Sequence, residues 1–185
     1  MSVEAANHKD VSEALYEEFP EAIDDVLEFR GEHTFVVKQD HLKEICLFLR
    51  DSERLGFNLL EDIVADDLLP DFPRFAVSYS LFSIPNRMRI RVRVPVEDPD
   101  DGPETVGDVW PIGTWLETEV WDLMGVTFKG NNSLRRLFLP EDWQGHPLRK
   151  DYPLGYEEVQ FSFNWEAIDA KKPYAKGLDW VYFSS

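Results

Sequence analysis

Two alternating segments joined by a Pro85-Asn86 turn constrain the fold of this chain most strongly. Apolar residues occupy every second position in both, and in the second segment arginine fills the positions between: Phe75, Val77, Tyr79 and Leu81, then Met88, Ile90, Val92 and Val94 with Arg87, Arg89, Arg91 and Arg93. Because alternate side chains of a strand point to opposite faces, this pattern predicts a β-hairpin. One face belongs to the core. We interpret the arginine face as a solvated surface that balances nearby acids.

Shorter patterns predict the elements around the hairpin. Apolar positions at helical spacing indicate helices over 10–19, stopped by Pro20, and from an N-cap at Asp40 to about residue 50. Strands are predicted over 34–37 and 57–65, and a third helix runs from Pro111 to Met124, where Gly125 ends it. The prediction is an α/β (α+β) fold: a small, mostly antiparallel or mixed sheet covered by helices, with an extended C-terminal arm. We divide the chain into an α/β domain (1–104), a segment packed on it (105–154) and the arm (155–185).

The third helix carries three carboxylates among apolar residues. The predicted apolar stripe contains Ile112, Trp115, Leu116, Val120, Leu123 and Met124. Glu119 falls on that stripe, so we expect it to be partly buried and to need a cationic partner. Glu117 and Glu119 lie two residues apart and face different directions, which disfavours paired acid–base catalysis with Asp122. A salt-bridged helix is the preferred interpretation.

A basic run follows that helix, at Arg135, Arg136, Arg149 and Lys150. Guanidinium groups bind carboxylates and phosphates through paired hydrogen bonds. Two uses remain open: these cations dock a partner, or they neutralise Glu119 and its neighbours inside the domain.

Several functional classes are disfavoured by composition. The net charge of −17 opposes binding to nucleic acids and anionic lipids and favours solubility or a basic protein partner. Cys46 is the only cysteine, so neither an internal disulfide nor a four-thiolate metal centre can form, and its predicted place on an apolar helix face makes it inert. No dinucleotide-binding, P-loop or GxSxG motif occurs. No stretch is long and apolar enough to span a membrane, and no secretory signal is visible, so we expect a cytoplasmic location.

Residues 115–153 carry a longer signature: WLETEVWDLMGVTFKG, then NNS, then LRRLFLPEDWQGHPLRKDYP. This segment closely resembles the signature of the C-type subunit of NADH:quinone oxidoreductase, respiratory complex I. That family usually has an arginine where this chain has Thr118, and a His-Pro pair followed by Asn or Asp where it has Asn131, Asn132 and Ser133. From these departures we expect a lost charged contact and a looser loop.

The resemblance implies a structural subunit without a cofactor in the peripheral arm of a proton-translocating enzyme, on the cytoplasmic face of the inner membrane. NADH, FMN, iron–sulfur clusters and quinone would be bound by partner subunits. The chain would pack against the large D-type subunit, which forms much of the quinone site. The residues that match the family are interpreted as scaffold and docking residues without a catalytic role: Glu117, Glu119, Asp122, Gly125, Phe128, Leu134, Arg135, Arg136, Gly145, Pro147, Leu148, Arg149, Lys150 and Asp151.

Two alternatives remain. One is the homologous subunit of a membrane-bound hydrogenase, or of a quinone reductase that uses ferredoxin or another donor. The other is a stand-alone acidic hydrolase that uses Glu119 with Arg149. Beyond residue 155 the chain is rich in aromatic residues that follow no helical or strand period, so we predict that this arm lies across a partner.

Overall fold

The predicted hairpin lies inside a five-stranded sheet in the computed structural model, which describes residues 6–152, 163 and 165–169. The elements in chain order are α1 (His8–Glu18), β1 (Ile23–Phe29), β2 (Glu32–Val37), α2 (Leu42–Asp51), β3 (Leu59–Asp67), β4 (Phe75–Ser83), β5 (Met88–Val96), α3 (Gly113–Met124) and α4 (Trp165–Asp169). Among the described residues, no helix is both long and apolar enough to cross a membrane.

The sheet has the order β1-β2-β5-β4-β3 and is mixed, as predicted. Strands β2 and β5 run parallel, and the other neighbouring pairs are antiparallel. The β4–β5 hairpin pairs Phe75 with Val96 at one end and Ser83 with Met88 at the other. The hairpin with the strongest alternation therefore lies within the sheet rather than at its edges.

One face of the sheet forms the core with the helices. The apolar residues of β4 and β5 are buried there together with Phe35 and with Ile45 and Leu49 of α2. Val106 and Phe128, from the segment after the sheet, belong to the same hydrophobic core, which brings that segment against the strands. The division into three regions stays a prediction.

The arginine face of β5 is balanced by acids, which confirms its interpretation. Arg89 pairs with Glu61 of β3 at 2.5 Å, and Arg93 pairs with Asp66 at 2.9 Å. Ala76 and Ser78 of β4, between these arginines and β3, are nevertheless buried. Ser78 lies opposite Arg93 in the register, and the methylene stem of a long cationic side chain shields small neighbours of this kind.

Element boundaries differ from the predictions where local capping decides them. Helix α1 begins at His8 because the side chain of Asn7 accepts hydrogen bonds from the first-turn N–H groups, with Asp10 completing a capping box. Asp40 is not an N-cap, since a 3₁₀ turn precedes α2. Strand β1 was not predicted, because its mostly exposed, acidic sequence at the sheet edge lacks alternation. The predicted arm lies outside the described residues except for Phe163 and α4.

Candidate functional site

Helix α3 turns two of its three carboxylates inward. Gly113, Glu117, Val120 and Met124 are buried at the three- and four-residue spacing of a single helix face. Asp122 is also fully buried. The predicted apolar stripe was therefore wrong at its start, since Ile112 and Trp115 are 49% and 52% exposed.

Glu117 is buried among neutral donors. The Thr105 hydroxyl donates to its Oε2 at 2.6 Å, the Val106 N–H to Oε1 at 2.7 Å, and the Asn131 amide to Oε2 at 2.9 Å. Burial raises the pKa of Glu117 above its ordinary value, and these three donors oppose that rise. The expected salt bridge is wrong for this residue, because it forms no ion pair within the described part of the chain. Instead Glu117 joins three chain segments.

Asp122 organises the loop that follows α3. Its Oδ2 accepts backbone N–H groups from three successive residues, Leu137, Phe138 and Leu139, at 3.0, 2.7 and 3.1 Å. Its Oδ1 lies 3.0 Å from Nη1 of Arg136. Burial alone would raise the pKa of Asp122, but the backbone donors and Arg136 together hold it below its ordinary value. Asp122 is therefore a buried carboxylate anion with four donors.

The same loop caps the C-terminus of α3. A helix leaves its last carbonyl groups without intrahelical partners. Here the Asp122 carbonyl accepts from Arg136, the Leu123 carbonyl from the Leu148 N–H, and the Met124 and Gly125 carbonyls from Arg149. Cations at this end also interact favourably with the helix dipole.

Several matched residues shape this cap. Gly125 has a φ of +75°, and a Cβ there would overlap the Arg149 guanidinium and the His146 ring. Gly145 has a φ of +82°, and its carbonyl accepts from Arg136 at 3.0 Å. Pro147 lies in the turn that is closed by the Arg149 N–H and the His146 carbonyl.

His146 is a part of the cap that lies outside the set of matched residues. Its Nδ1 lies 2.9 Å from the Asp122 carbonyl, and its ring contacts Trp121 edge-on. Burial lowers the pKa of His146, with Arg149 and Arg136 acting in the same direction. Neutral His146 donates through Nδ1, and no sequence pattern indicated this.

The end of the signature is fastened to the sheet. Asp67, at the end of β3, accepts paired hydrogen bonds from Arg74 and one from the Lys150 N–H. Arg74 also pairs with Asp151 at 2.8 Å, and Nζ of Lys150 donates to the Leu69 carbonyl. The guanidinium of Arg74 holds the pKa of Asp67 well below its ordinary value. Sequence reasoning missed Asp67 and Arg74, because both lie outside the signature.

The remaining matched residues divide between core and surface. Phe128 is buried, and Leu134 packs against the core. Arg135 is exposed, with its guanidinium 5.5 Å above the Trp115 ring. Glu119 is half-buried, as predicted, but it forms no ion pair among the described residues. The structure therefore brings Asp122, Arg136 and Arg149 together and leaves Glu119 apart from them.

Apolar side chains are exposed on α3 and on the loops that pack at its C-terminus. They belong to the start of α3, the loop after it, and the adjoining loop before β4: Ile112, Trp115, Leu137, Phe138, Leu148, Leu69 and Phe72. Phe138 is 63% and Phe72 74% exposed. Clusters of exposed apolar residues rimmed by polar groups mark interaction surfaces. We call these residues the apolar rim.

Fold and site together define an α/β protein whose signature loop is held by internal hydrogen bonds and displays an apolar rim, as expected of a component of a larger assembly. The family model for the 30 kDa subunit of respiratory-chain NADH dehydrogenase matches residues 35–158. The chain belongs to this family and is thus a subunit of a hetero-oligomeric NADH:quinone oxidoreductase, complex I.

Relatives and solved structures agree with this assignment. The C-type subunit of the NADH-quinone oxidoreductase of Roseiflexus sp. (strain RS-1) is 42% identical over 93% of this chain and 99% of its own length. The C-type subunit of Geobacter metallireducens is 50% identical over 76% of this chain and 86% of its own. A structure described as the trypsin-resistant fragment (1-134) of Nqo5 covers 65% of this chain and 97% of its own, at 34% identity and a TM-score of 0.53.

A chain of the membrane-bound sulfane sulfur reductase, an archaeal respiratory membrane complex, shares the fold. It covers 79% of this chain and 85% of its own, with a TM-score of 0.63 and 23% identity. This likeness concerns the fold alone.

Proposed function

We propose that this chain is a structural, cofactor-free subunit of the peripheral arm of a proton-translocating NADH:quinone oxidoreductase, and that it docks on the large D-type subunit at the cytoplasmic face of the membrane. In this role it holds the D-type subunit and the neighbouring cluster-bearing subunits in place. Electron transfer from NADH to quinone takes place in those partner chains.

The hydrogen bonds made by the charged residues of the signature support this proposal. Asp122, Arg136 and Arg149 hydrogen-bond to backbone groups of the signature segment, and Asp122 and Arg136 also to each other. They fasten a loop whose apolar residues Leu137, Phe138 and Leu148 are exposed. A loop fixed by internal hydrogen bonds is pre-organised for docking, because little conformational entropy is lost when a partner covers it.

The chemistry of the available side chains favours partners as the cofactor carriers. Iron–sulfur clusters need several thiolates, and the chain has one cysteine. That residue, Cys46, is fully buried in α2, and burial raises the pKa of its thiol. Glu119 and Arg149 do not form the pair that the hydrolase alternative requires, since Arg149 donates to carbonyl groups at the end of α3.

Purification from native membranes tests the proposal. A tagged copy of the chain should bring down the D-type and the cluster-bearing subunits in stoichiometric amounts, whereas the isolated chain should contain no stoichiometric iron or flavin. Substrate turnover by the isolated chain, or iron or flavin bound to it, would overturn the structural role. Membranes that lose quinone reduction with NADH when the chain is deleted support the NADH-linked enzyme. If deletion of the chain abolishes quinone reduction with reduced ferredoxin but not with NADH, the complex is the variant that uses another donor.

A further inference from the structure

The solvent side of α3 carries an apolar line interrupted by one carboxylate. Ile112, Trp115, Glu119 and Leu123 follow each other at intervals of three and four residues, so they lie in one row along the helix. The row is about 16 Å long at 1.5 Å per residue. Ile112 and Trp115 are about half exposed, and Glu119 and Leu123 are half-buried. We call these four residues the outer stripe.

Glu119 differs from the buried carboxylates of this region, Glu117, Asp122 and Asp67, in having no partner among the described residues. Asp122 is paired with Arg136, and Asp67 with Arg74. Glu119 forms no hydrogen bond or ion pair through its side chain in the part of the chain that the structure describes. Anything that covers the outer stripe removes water from this carboxylate, and an uncompensated charge opposes such burial. The covering surface must therefore compensate this charge with hydrogen-bond donors, and a cation does so most fully.

A cation lies at the edge of the same stripe. The guanidinium of Arg135 stacks over the Trp115 ring and makes no ion pair within the described residues. The stripe therefore presents a negative group among apolar residues and a positive group fixed beside Trp115. In the loop after α3, the backbone N–H groups of Leu137 and Phe138 donate to the side chain of Asp122, which precedes Leu123 in the sequence. This places the exposed Leu137 and Phe138 beside the stripe.

We propose that the outer stripe is the seat of a helix from another subunit of the complex, with apolar residues along one side, a lysine or arginine opposite Glu119 and a carboxylate opposite Arg135. The inference rests on the proposed function and identifies the surface and the chemistry of its partner. A straight row at helical spacing fits a second helix laid along it. An anionic membrane does not fit, because it offers no cation to Glu119 and repels a chain with a net charge of −17.

Charge reversal at the centre of the stripe is the first test. Glu119→Lys and Glu17→Lys make the same change in charge, and Glu17 is an exposed residue of α1 far from the signature in sequence. Each variant is expressed at equal level in the native host, and the amount recovered with the membrane complex is compared with wild type. Glu119→Lys should reduce recovery by about tenfold or more, because a cation then faces a cation, and Glu17→Lys should not. Thermal unfolding of each purified variant shows whether the fold is kept.

Photo-crosslinking in the assembled complex is the second test and does not depend on a destabilising change. A benzophenone side chain replaces Trp115 in one variant and Tyr16, an exposed residue of α1, in the other. Position 115 should crosslink to one helix of another subunit that carries apolar residues and a basic residue, and position 16 should not reach that helix.

The outcomes separate the two proposals. Wild-type chain that fails to co-purify with any other protein of complex I overturns the proposed function. Wild-type chain that co-purifies normally, together with equal recovery of Glu119→Lys or a crosslink from position 115 to lipid, to a second copy of this chain or to nothing, overturns the outer-stripe inference alone.

Discussion

Replacing Asp122 with alanine should destabilise the chain more than any other single change in the signature loop. The substitution removes the carboxylate that pairs with the largely buried guanidinium of Arg136 and leaves three backbone N–H groups without this acceptor. Breaking a buried ion pair by deleting one partner costs about 3–5 kcal/mol. Arg136 keeps its hydrogen bonds to three backbone carbonyls, so we expect the lower end of this range, about 3 kcal/mol. For a chain of this size the thermal midpoint should fall by roughly 6–12 °C.

Urea unfolding of the purified chain followed by tryptophan fluorescence measures this loss. Asp142→Ala is the matched control, because Asp142 is an exposed carboxylate of the same loop, and its removal should change stability by less than about 0.5 kcal/mol. Since the folded-state pKa of Asp122 is lowered, its contribution is present above the ordinary value of 3.8 and is lost as the pH falls through the folded-state pKa. The gap between wild type and Asp122→Ala should therefore shrink in acid. A gap below about 1 kcal/mol at pH 7 would refute the assignment of Asp122 as the organiser of the loop.

The remaining predictions concern the neighbours of that carboxylate. Burial raises the folded-state pKa of Glu117, so the contribution of this residue to stability is greatest below pH 4.5 and falls as the pH rises through the folded-state pKa. Glu117→Gln should therefore flatten this part of the curve of unfolding free energy against pH, measured by urea unfolding. Gly125→Ala should cost more than Gly31→Ala by about 1–3 kcal/mol in thermal unfolding, because both have positive φ but only the Cβ at Gly125 meets other atoms. Arg149→Ala should lower the free energy of unfolding by about 2 kcal/mol and Arg135→Ala by less than about 1 kcal/mol, since only Arg149 of the two caps α3; equal losses in the isolated chain would contradict this division.

The central sheet was predictable because its signal is local. A two-residue apolar period over residues 75–81 of β4 and 88–94 of β5 fits only strands that place these apolar residues on one face. The Pro85-Asn86 turn then fixes the two strands as neighbours. Strand β1 has no such signal, because an edge strand with one partner tolerates acidic residues on both faces. Its place follows from pairing with β2, which a sequence pattern does not record.

The orientation of α3 could not be predicted from apolar periodicity alone. The residues that periodicity assigned to the core include Trp115, which is half exposed, while Glu117 is fully buried. Periodicity assumes that buried positions are apolar. Here the buried positions of the helix are filled partly by carboxylates, because the segments that pack on it supply hydrogen-bond donors in place of apolar side chains. Only the tertiary contacts identify those donors.

The two departures from the family pattern, at Thr118 and at Asn131, are linked in the structure because both side chains donate to the same backbone carbonyl oxygen. The Thr118 hydroxyl donates to the Thr114 carbonyl at 2.7 Å, and the Asn131 amide donates to the same carbonyl at 3.2 Å. Asn131 also holds Glu117, and its Oδ1 accepts the Ser133 N–H, which closes a turn. The expectation of a looser loop stays a prediction, although Asn131, one of the residues at the departure, fastens the loop to α3. Thr118 is buried, so a longer side chain there would compete with Asn131 for the same space and the same acceptor. The two positions form one structural unit, and a change at either one alters how Glu117 is held.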